Sequence, residues 1–271
     1  MKMNLSKVRK GIISSIFIFF LISSSLCAHT LWINLTSHNP KYYKKFGAFS
    51  RAYFGWGHRF PVDGFLKFKN LVKFNLINPD GKKEKLIPNP GGFLATDLSL
   101  KSQGVYYVEA VKKPGFYTMY ERNGKVLHKS APMTGLKNVI LSLYFQEFSK
   151  ALITTGKDER KNFLKPLGHK IEIIPLENPS KLKKDDIFKI KVFYKGKPAR
   201  YLNVSGTYFG FSNEDDFAFA TKTNKDGIAE IRLLERGNWL LKVNKKIAPD
   251  KKYKGKCLNE SYTATFTFEV K

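Results

Sequence analysis

The sequence predicts an all-β protein built from two antiparallel β-sandwich domains behind an N-terminal export signal. Three observations carry this reading. Short runs rich in β-branched and aromatic residues alternate with turn signals such as Asn78-Pro79-Asp80-Gly81, Asn123-Gly124, Lys195-Gly196-Lys197-Pro198 and Asp226-Gly227. Hydrophobic residues at 42% and aromatics at 14% are enough for a packed core, which excludes a disordered chain. A length of 271 residues has room for two sandwiches, and the strand spacing suits the immunoglobulin or fibronectin-like kind.

In chain order, residues 1–28 read as a signal peptide. Lys2, Lys7, Arg9 and Lys10 form a basic start, Ile12 to Ile22 an apolar run of eleven broken only by Ser14 and Ser15, and Ser23 to Ala28 a small-residue cleavage region. Eleven residues are too few to span a bilayer as a helix. An uncleaved anchor is the rival reading, and the bulk of Leu26 disfavours lipid attachment through Cys27. The mature protein is therefore expected in the periplasm or outside the cell.

Residues 29–160 form the first expected domain. Residues 74–77 and 85–87 make a hairpin around Asn-Pro-Asp-Gly, and residues 104–110 and 116–120 a second strand pair around Pro114-Gly115. Residues 137–155 fit two periods. Ile140, Tyr144, Phe148, Ala151 and Leu152 share a helical face, while Val139, Leu141, Leu143 and Phe145 alternate as in a strand. Apolar periodicity fades between Gly156 and Pro166, which sets the boundary. Residues 169–271 form the second domain, with about seven strands expected beyond residue 170. Residues 187–194 alternate apolar and basic side chains, residues 228–233 and 239–243 read as strands in the same way, and residues 263–270 make a final strand.

Charge and cysteine content narrow the functional classes. Forty-eight Lys+Arg against 22 Asp+Glu give +26, and removal of residues 1–28, with four positive charges and no negative one, leaves about +22. The lysines are scattered over turns and outnumber arginines, whereas bidentate phosphate recognition favours arginine, so no nucleic-acid partner is expected. Two readings of this charge stand: a solvated surface, or attraction to anionic envelope polymers and lipid headgroups. Export would leave Cys257 as the only cysteine, either buried and inert or reactive.

No Gly-x-Ser-x-Gly elbow, Gly-rich phosphate loop or Cys–His neighbourhood appears, so a binding protein is expected in place of an enzyme. The acidic cluster Glu214-Asp215-Asp216 reads as a solvated loop, with a cation site as its alternative. None of the five histidines (His29, His38, His58, His128, His169) has a helical metal spacing. His29 differs by position. Cleavage after Ala28 would pair its imidazole with its own α-amine; cleavage after Cys27 would add the Ala28 amine and an amide nitrogen. Either way a nitrogen-rich chelate results, suited to nickel, cobalt or copper; an accidental histidine at a frayed end is the plain alternative.

Four segments carry a resemblance. His29-Thr30-Leu31-Trp32-Ile33, Gly57-His58-Arg59-Phe60-Pro61-Val62-Asp63, Pro166-Leu167-Gly168-His169-Lys170-Ile171-Glu172-Ile173-Ile174-Pro175-Leu176 and the strands from Gly237 and Tyr262 occur in one order. In that order they resemble a family of exported bacterial proteins linked to nickel uptake, described as periplasmic nickel-transport components or as a domain of unknown function. The resemblance implies β-sandwich proteins that accompany nickel and cobalt transporters of the inner membrane. It also implies His29, His58 and His169 as metal candidates, with Asp63 and Glu172 as oxygen ligands or partners that orient an imidazole. His38 and His128 match no motif. Many members close on a membrane-anchoring helix, which this sequence does not show before Lys271. The non-metal alternative is a module for anionic envelope glycans or lipids, using Tyr42, Tyr43, Tyr53 and Trp56.

Overall fold

The computed structural model describes residues 29–157 and 161–271, so the signal-peptide reading of residues 1–28 lies outside the described residues. The all-β expectation holds: the described residues form strands joined by turns and short 3-10 segments, with no α-helix.

Three sheets result. The first contains β1 (Thr30–Leu35), β2 (Ala48–Gly57) and β5 (Thr96–Leu100), in the order β1-β2-β5. The second and largest is built on the long strand β9 (Val139–Thr155). On one side of β9 lie β3 (Leu71–Ile77), β4 (Lys83–Lys85), β6 (Gly104–Lys112), β7 (Gly115–Arg122) and β8 (Lys125–Lys129). On the other lie β13 (Asn203–Tyr208), β14 (Phe219–Lys222), β16 (Gly237–Ile247) and β17 (Asn259–Val270). The third sheet joins β10 (Ile171–Pro175), β11 (Ile187–Tyr194), β12 (Lys197–Pro198) and β15 (Ile228–Arg232).

Side-chain alternation explains the layering. Successive residues of a strand face opposite ways. Tyr106, Val108 and Ala110 of β6, with Ala151 and Ile153 of β9, pack against Leu31, Ile33 and Leu35 of β1. Their neighbours Tyr107, Val111, Phe148 and Leu152 face the other way, onto Ile171 and Ile173 of β10 and Phe188, Ile190 and Val192 of β11. The ten-stranded sheet is thus the middle layer, with a separate apolar core on each face. Each fully buried aromatic of these cores, such as Trp239 or Phe266, stabilises the fold by about 1.5–3 kcal/mol relative to leaving it in water.

Three expectations need correction. The middle sheet takes strands from both sides of the boundary expected at 156–166, so the two sandwiches share a layer. The sheets are not purely antiparallel, because β17 pairs with β9 in parallel, from Asn259↔Leu143 to Thr267↔Ala151. Residues 104–110 and 116–120 do not pair with each other: β6 and β7 lie end to end along one edge of β9, separated at Lys113-Pro114, where proline has no N–H to give the ladder. The ambiguous segment 137–155 is strand, since β9 is bonded along both edges and its two side-chain faces serve the two cores. The hairpin around Asn78-Pro79-Asp80-Gly81 forms as expected, between β3 and β4.

Candidate metal centre

The register of β1 against β2 builds the site. Thr30 pairs with Gly57, so the residues just outside that pair, His29 and His58, come together although 29 positions separate them. Their ring centroids are 4.7 Å apart, edge to face, and the His29 ring also meets Trp56 at 4.5 Å. Gly57 permits the turn out of β2, because a Cβ there would sit 2.2 Å from an Asp63 carboxylate oxygen.

The loop that carries His58 is fastened twice. Pro61 accepts hydrogen bonds from Trp32 Nε1 and Asn34 Nδ2, both at 2.8 Å, which tie the loop to β1. Asp63 accepts from the His58 amide at 2.6 Å, the Arg59 amide at 3.3 Å and the Arg59 guanidinium at 3.0 Å. Partial burial opposes the Asp63 charge, but these donors hold its carboxyl below the usual range. Asp63 is therefore a staple of the His58 loop, with Oδ2 spent on two amides.

The acidic cluster read as a solvated loop supplies the partner of His58. Asp215 Oδ2 lies 3.2 Å from His58 Nδ1. With Nδ1 engaged there, Nε2 is the nitrogen His58 has left for a ligand. Glu214 and Asp216 line a small cleft with His58, Phe60, Thr30 and Trp32, so an acidic loop from the second half of the chain closes over the first. Beneath the histidines, Lys112 and Glu147 form a buried ion pair at 3.2 Å, and the Lys112 ammonium stands 5.2 Å from the Trp56 ring centre. Burial pushes the Glu147 carboxyl up, against the pull of Lys112. Partial burial, the His58 ring and the Lys112 charge together hold the His29 imidazole below its ordinary pKa, against the attraction of Asp63.

His169 and Glu172 lie elsewhere. His169 Nε2 is 2.9 Å from Glu109 Oε1, and its ring stacks on Phe148 at 5.1 Å. Glu172 accepts from Lys150 Nζ at 2.8 Å and from the amides of Leu167, Gly168 and His169 at 2.8, 3.1 and 3.2 Å. Phe148, which stacks on His169, and Leu152 belong to the core shared with β10. Glu109, paired with Lys150 across β6 and β9, shares that face. Lys112 and Glu147 pair on the other face, below His29 and Trp56. The central sheet stands between the two groups, so His29 and His58 come together without His169 and Glu172.

The second group is a buried charge network. Burial opposes the Glu109 charge, yet hydrogen bonds from His169 and Asn75 and the charges of His169 and Lys83 hold its pKa down at about 2. Glu172 also titrates below its ordinary value despite burial, chiefly because of Lys150. With every Glu172 oxygen engaged, its carboxylate is a fold determinant.

The unassigned histidines and the cysteine have structural places. His38 is buried, with Nδ1 2.6 Å from the Leu152 carbonyl oxygen; His128 meets the Tyr117 hydroxyl on the exposed strand β8. Cys257 is buried, and burial pushes its thiol up, which disfavours the nucleophilic thiolate. The four aromatics of the envelope-binding reading do not make one platform. Tyr43 bonds to Gly47 at the start of β2 and Trp56 sits at its end, about 30 Å away at 3.3 Å per residue.

Donor chemistry fits a soft or borderline metal ion in part. Two imidazoles adjoin, but no group of three or more His, Cys, Asp or Glu among the described residues is arranged to hold an ion. A complete set needs a further donor.

Residues 26–246 match a family model described as a domain of unknown function, DUF4198. The chain belongs to the DUF4198 family. The match covers the β1–β2 site, the His169 segment and most of β16. No curated protein matches this DUF4198 chain in sequence. Among solved structures, the D00-D0 domain of intimin is similar at 12% identity, over 89% of this chain and 99% of that one, with a TM-score of 0.20. Fibronectin(III)-like modules of Clostridium thermocellum CbhA follow at 10% identity, 88% and 94% coverage and a TM-score of 0.22. The FN1-FN3 domains of chicken CNTN1 match at 6% identity, 89% and 98% coverage and 0.23. Superpositions this loose carry no argument about function.

Proposed function

We propose that this DUF4198 protein is an exported, non-catalytic metal carrier that binds nickel(II), or alternatively cobalt or copper, at His29 and His58 and delivers it to a nickel or cobalt uptake transporter of the inner membrane. The observation that carries the reading is the meeting of His29 and His58 at 4.7 Å across the Thr30↔Gly57 pair. Signal removal after Cys27 or Ala28 would supply the missing donor, an α-amine at the head of β1. Neutral imidazoles and an amine suit nickel, cobalt and copper over magnesium or calcium. Asp215 would fix the tautomer and direction of His58, as carboxylates do behind metal-bound histidines. Lys112, close enough to depress His29, would temper affinity for a cation and so favour release to a partner.

Titration calorimetry with Ni(II) on tag-free protein beginning at Ala28 or His29 tests this. About one equivalent is expected, from the single N-terminal chelate such a chain can build. His29→Ala, His58→Ala or a single added N-terminal residue should each weaken binding at least tenfold, while His169→Gln in folded protein should leave it unchanged. Absence of binding to Ni(II), Co(II) and Cu(II), or binding indifferent to His29→Ala, sinks the reading.

A further inference from the structure

One end of the central sheet gathers lysines that the fold does not pair. β16 ends at Ile247 and β17 begins at Asn259, and the connection between them exposes Lys251, Lys252, Lys254 and Lys256. Beside it the sheet register sets Lys245 opposite Tyr262. The ammonium groups of Lys245 and Lys195 stand 5.3 and 5.5 Å from the Tyr194 ring centre, and that of Lys170 stands 5.4 Å from the ring centre of Tyr262. Among the described residues none of these seven lysines makes an ion pair. The local carboxylate Glu260 is buried and turned inward, accepting from the Tyr262 hydroxyl and the Asp250 amide. Asp250 itself is exposed at the start of the run.

The same end also exposes apolar side chains. Leu258 closes the lysine run at 43% exposure. The Met133 amide donates to the Lys256 carbonyl at 2.9 Å, which ties the β8–β9 connection to the run and brings up β8, with Val126 52% and Leu127 37% exposed.

We propose that this end docks on an anionic lipid bilayer. Like charges left unpaired repel one another, and a surface dense in negative charge relieves that repulsion. Lysines on flexible stems suit the diffuse field of a headgroup layer, whereas fixed bidentate recognition of single phosphates would call for arginine. Exposed leucine and valine among the lysines suit shallow insertion at the headgroup boundary, which a soluble polyanion does not offer. The position of the histidines adds a consequence. Thr265 Oγ1 donates to the Leu31 carbonyl, so His29, two residues earlier, lies level with Thr263. Leu258 is five residues back along that line, roughly 16 Å at 3.3 Å per residue. Docking would hold the His29–His58 pair near the bilayer surface.

Co-sedimentation of residues 28–271 with vesicles of phosphatidylcholine alone or with 30% phosphatidylglycerol is the test, in about 50 mM and 500 mM NaCl. Binding is expected only to the anionic vesicles and is lost at the higher salt, where the screening length drops to a few ångströms. Lys251→Gln, Lys252→Gln, Lys254→Gln and Lys256→Gln combined should lower the partition constant on the order of several hundredfold, at about fivefold per lysine. The same number of neutralisations at Lys41, Lys44, Lys45 and Lys101 should lower it by less than tenfold. Binding that falls equally in both quadruple variants overturns the proposal, since net charge alone would then account for it. Binding to soluble polyphosphate with none to anionic vesicles overturns it as well. The proposal does not rest on metal: His29→Ala should leave vesicle binding unchanged, so the two readings fail separately.

Discussion

Acidification should destabilise this protein through His38, and the magnitude follows from where the ring lies. His38 is 2% exposed, and its Nδ1 is 2.6 Å from the Leu152 carbonyl oxygen, which fixes Nδ1 as the protonated donor of a neutral imidazole. The His38 carbonyl accepts from the Thr154 amide, so the segment after β1 is clamped to β9 at two points. Burial lowers the pKa from 6.5 to about 4, and the Leu152 carbonyl recovers only part of the loss. The unfolded chain therefore takes up this proton first as pH falls. Stability from the neutral ring is complete above pH 6.5 and disappears between 6.5 and about 4. At 1.36 kcal/mol per pH unit the gap is worth about 3 kcal/mol in full, most of which is lost by pH 4.5. His38→Gln keeps a donor for Leu152 and removes the titration. Urea unfolding at pH 7.5 and 4.5, followed by tryptophan fluorescence, should show wild-type protein losing about 2–3 kcal/mol more than the variant. Losses that agree within about 0.5 kcal/mol would show that His38 is protonated without disrupting the fold, and would refute this account of its burial.

Two further outcomes separate fold from site. Glu172→Gln should destabilise the protein by about 3–5 kcal/mol, because it strands the Lys150 ammonium in the core, while Ni(II) affinity of the folded fraction stays unchanged; thermal melts and calorimetry on the same sample read both. Asp215→Asn should weaken Ni(II) about 10–100-fold through the lost orientation of His58, with a melting temperature within about 2 °C of wild type, since the pair is partly exposed. A large stability loss with unchanged Ni(II) affinity would assign Asp215 to the fold.

Sequence alone determined the class of fold and several of its strands, because those signals are local. Alternation over residues 187–194 reads a half-buried strand directly, and β11 spans those same residues. Asn78-Pro79-Asp80-Gly81 turns the chain with no help from elsewhere. His29 and His58 could be named as candidates from position and short motifs, but their meeting was not legible. It depends on the β1–β2 register, and register is set by which faces the whole core buries. Only the tertiary structure could remove His169 and Glu172 from that pair, since the central sheet that divides them is assembled from strands more than a hundred residues apart. Asp215 carried a weak signal as part of an acidic run, and nothing local to it named His58 as its partner. Residues 137–155 satisfied helical and strand periods equally. The decision fell to β6, β7 and β17, whose backbones offer β9 hydrogen bonds along both edges, and that offer exists only in the assembled fold.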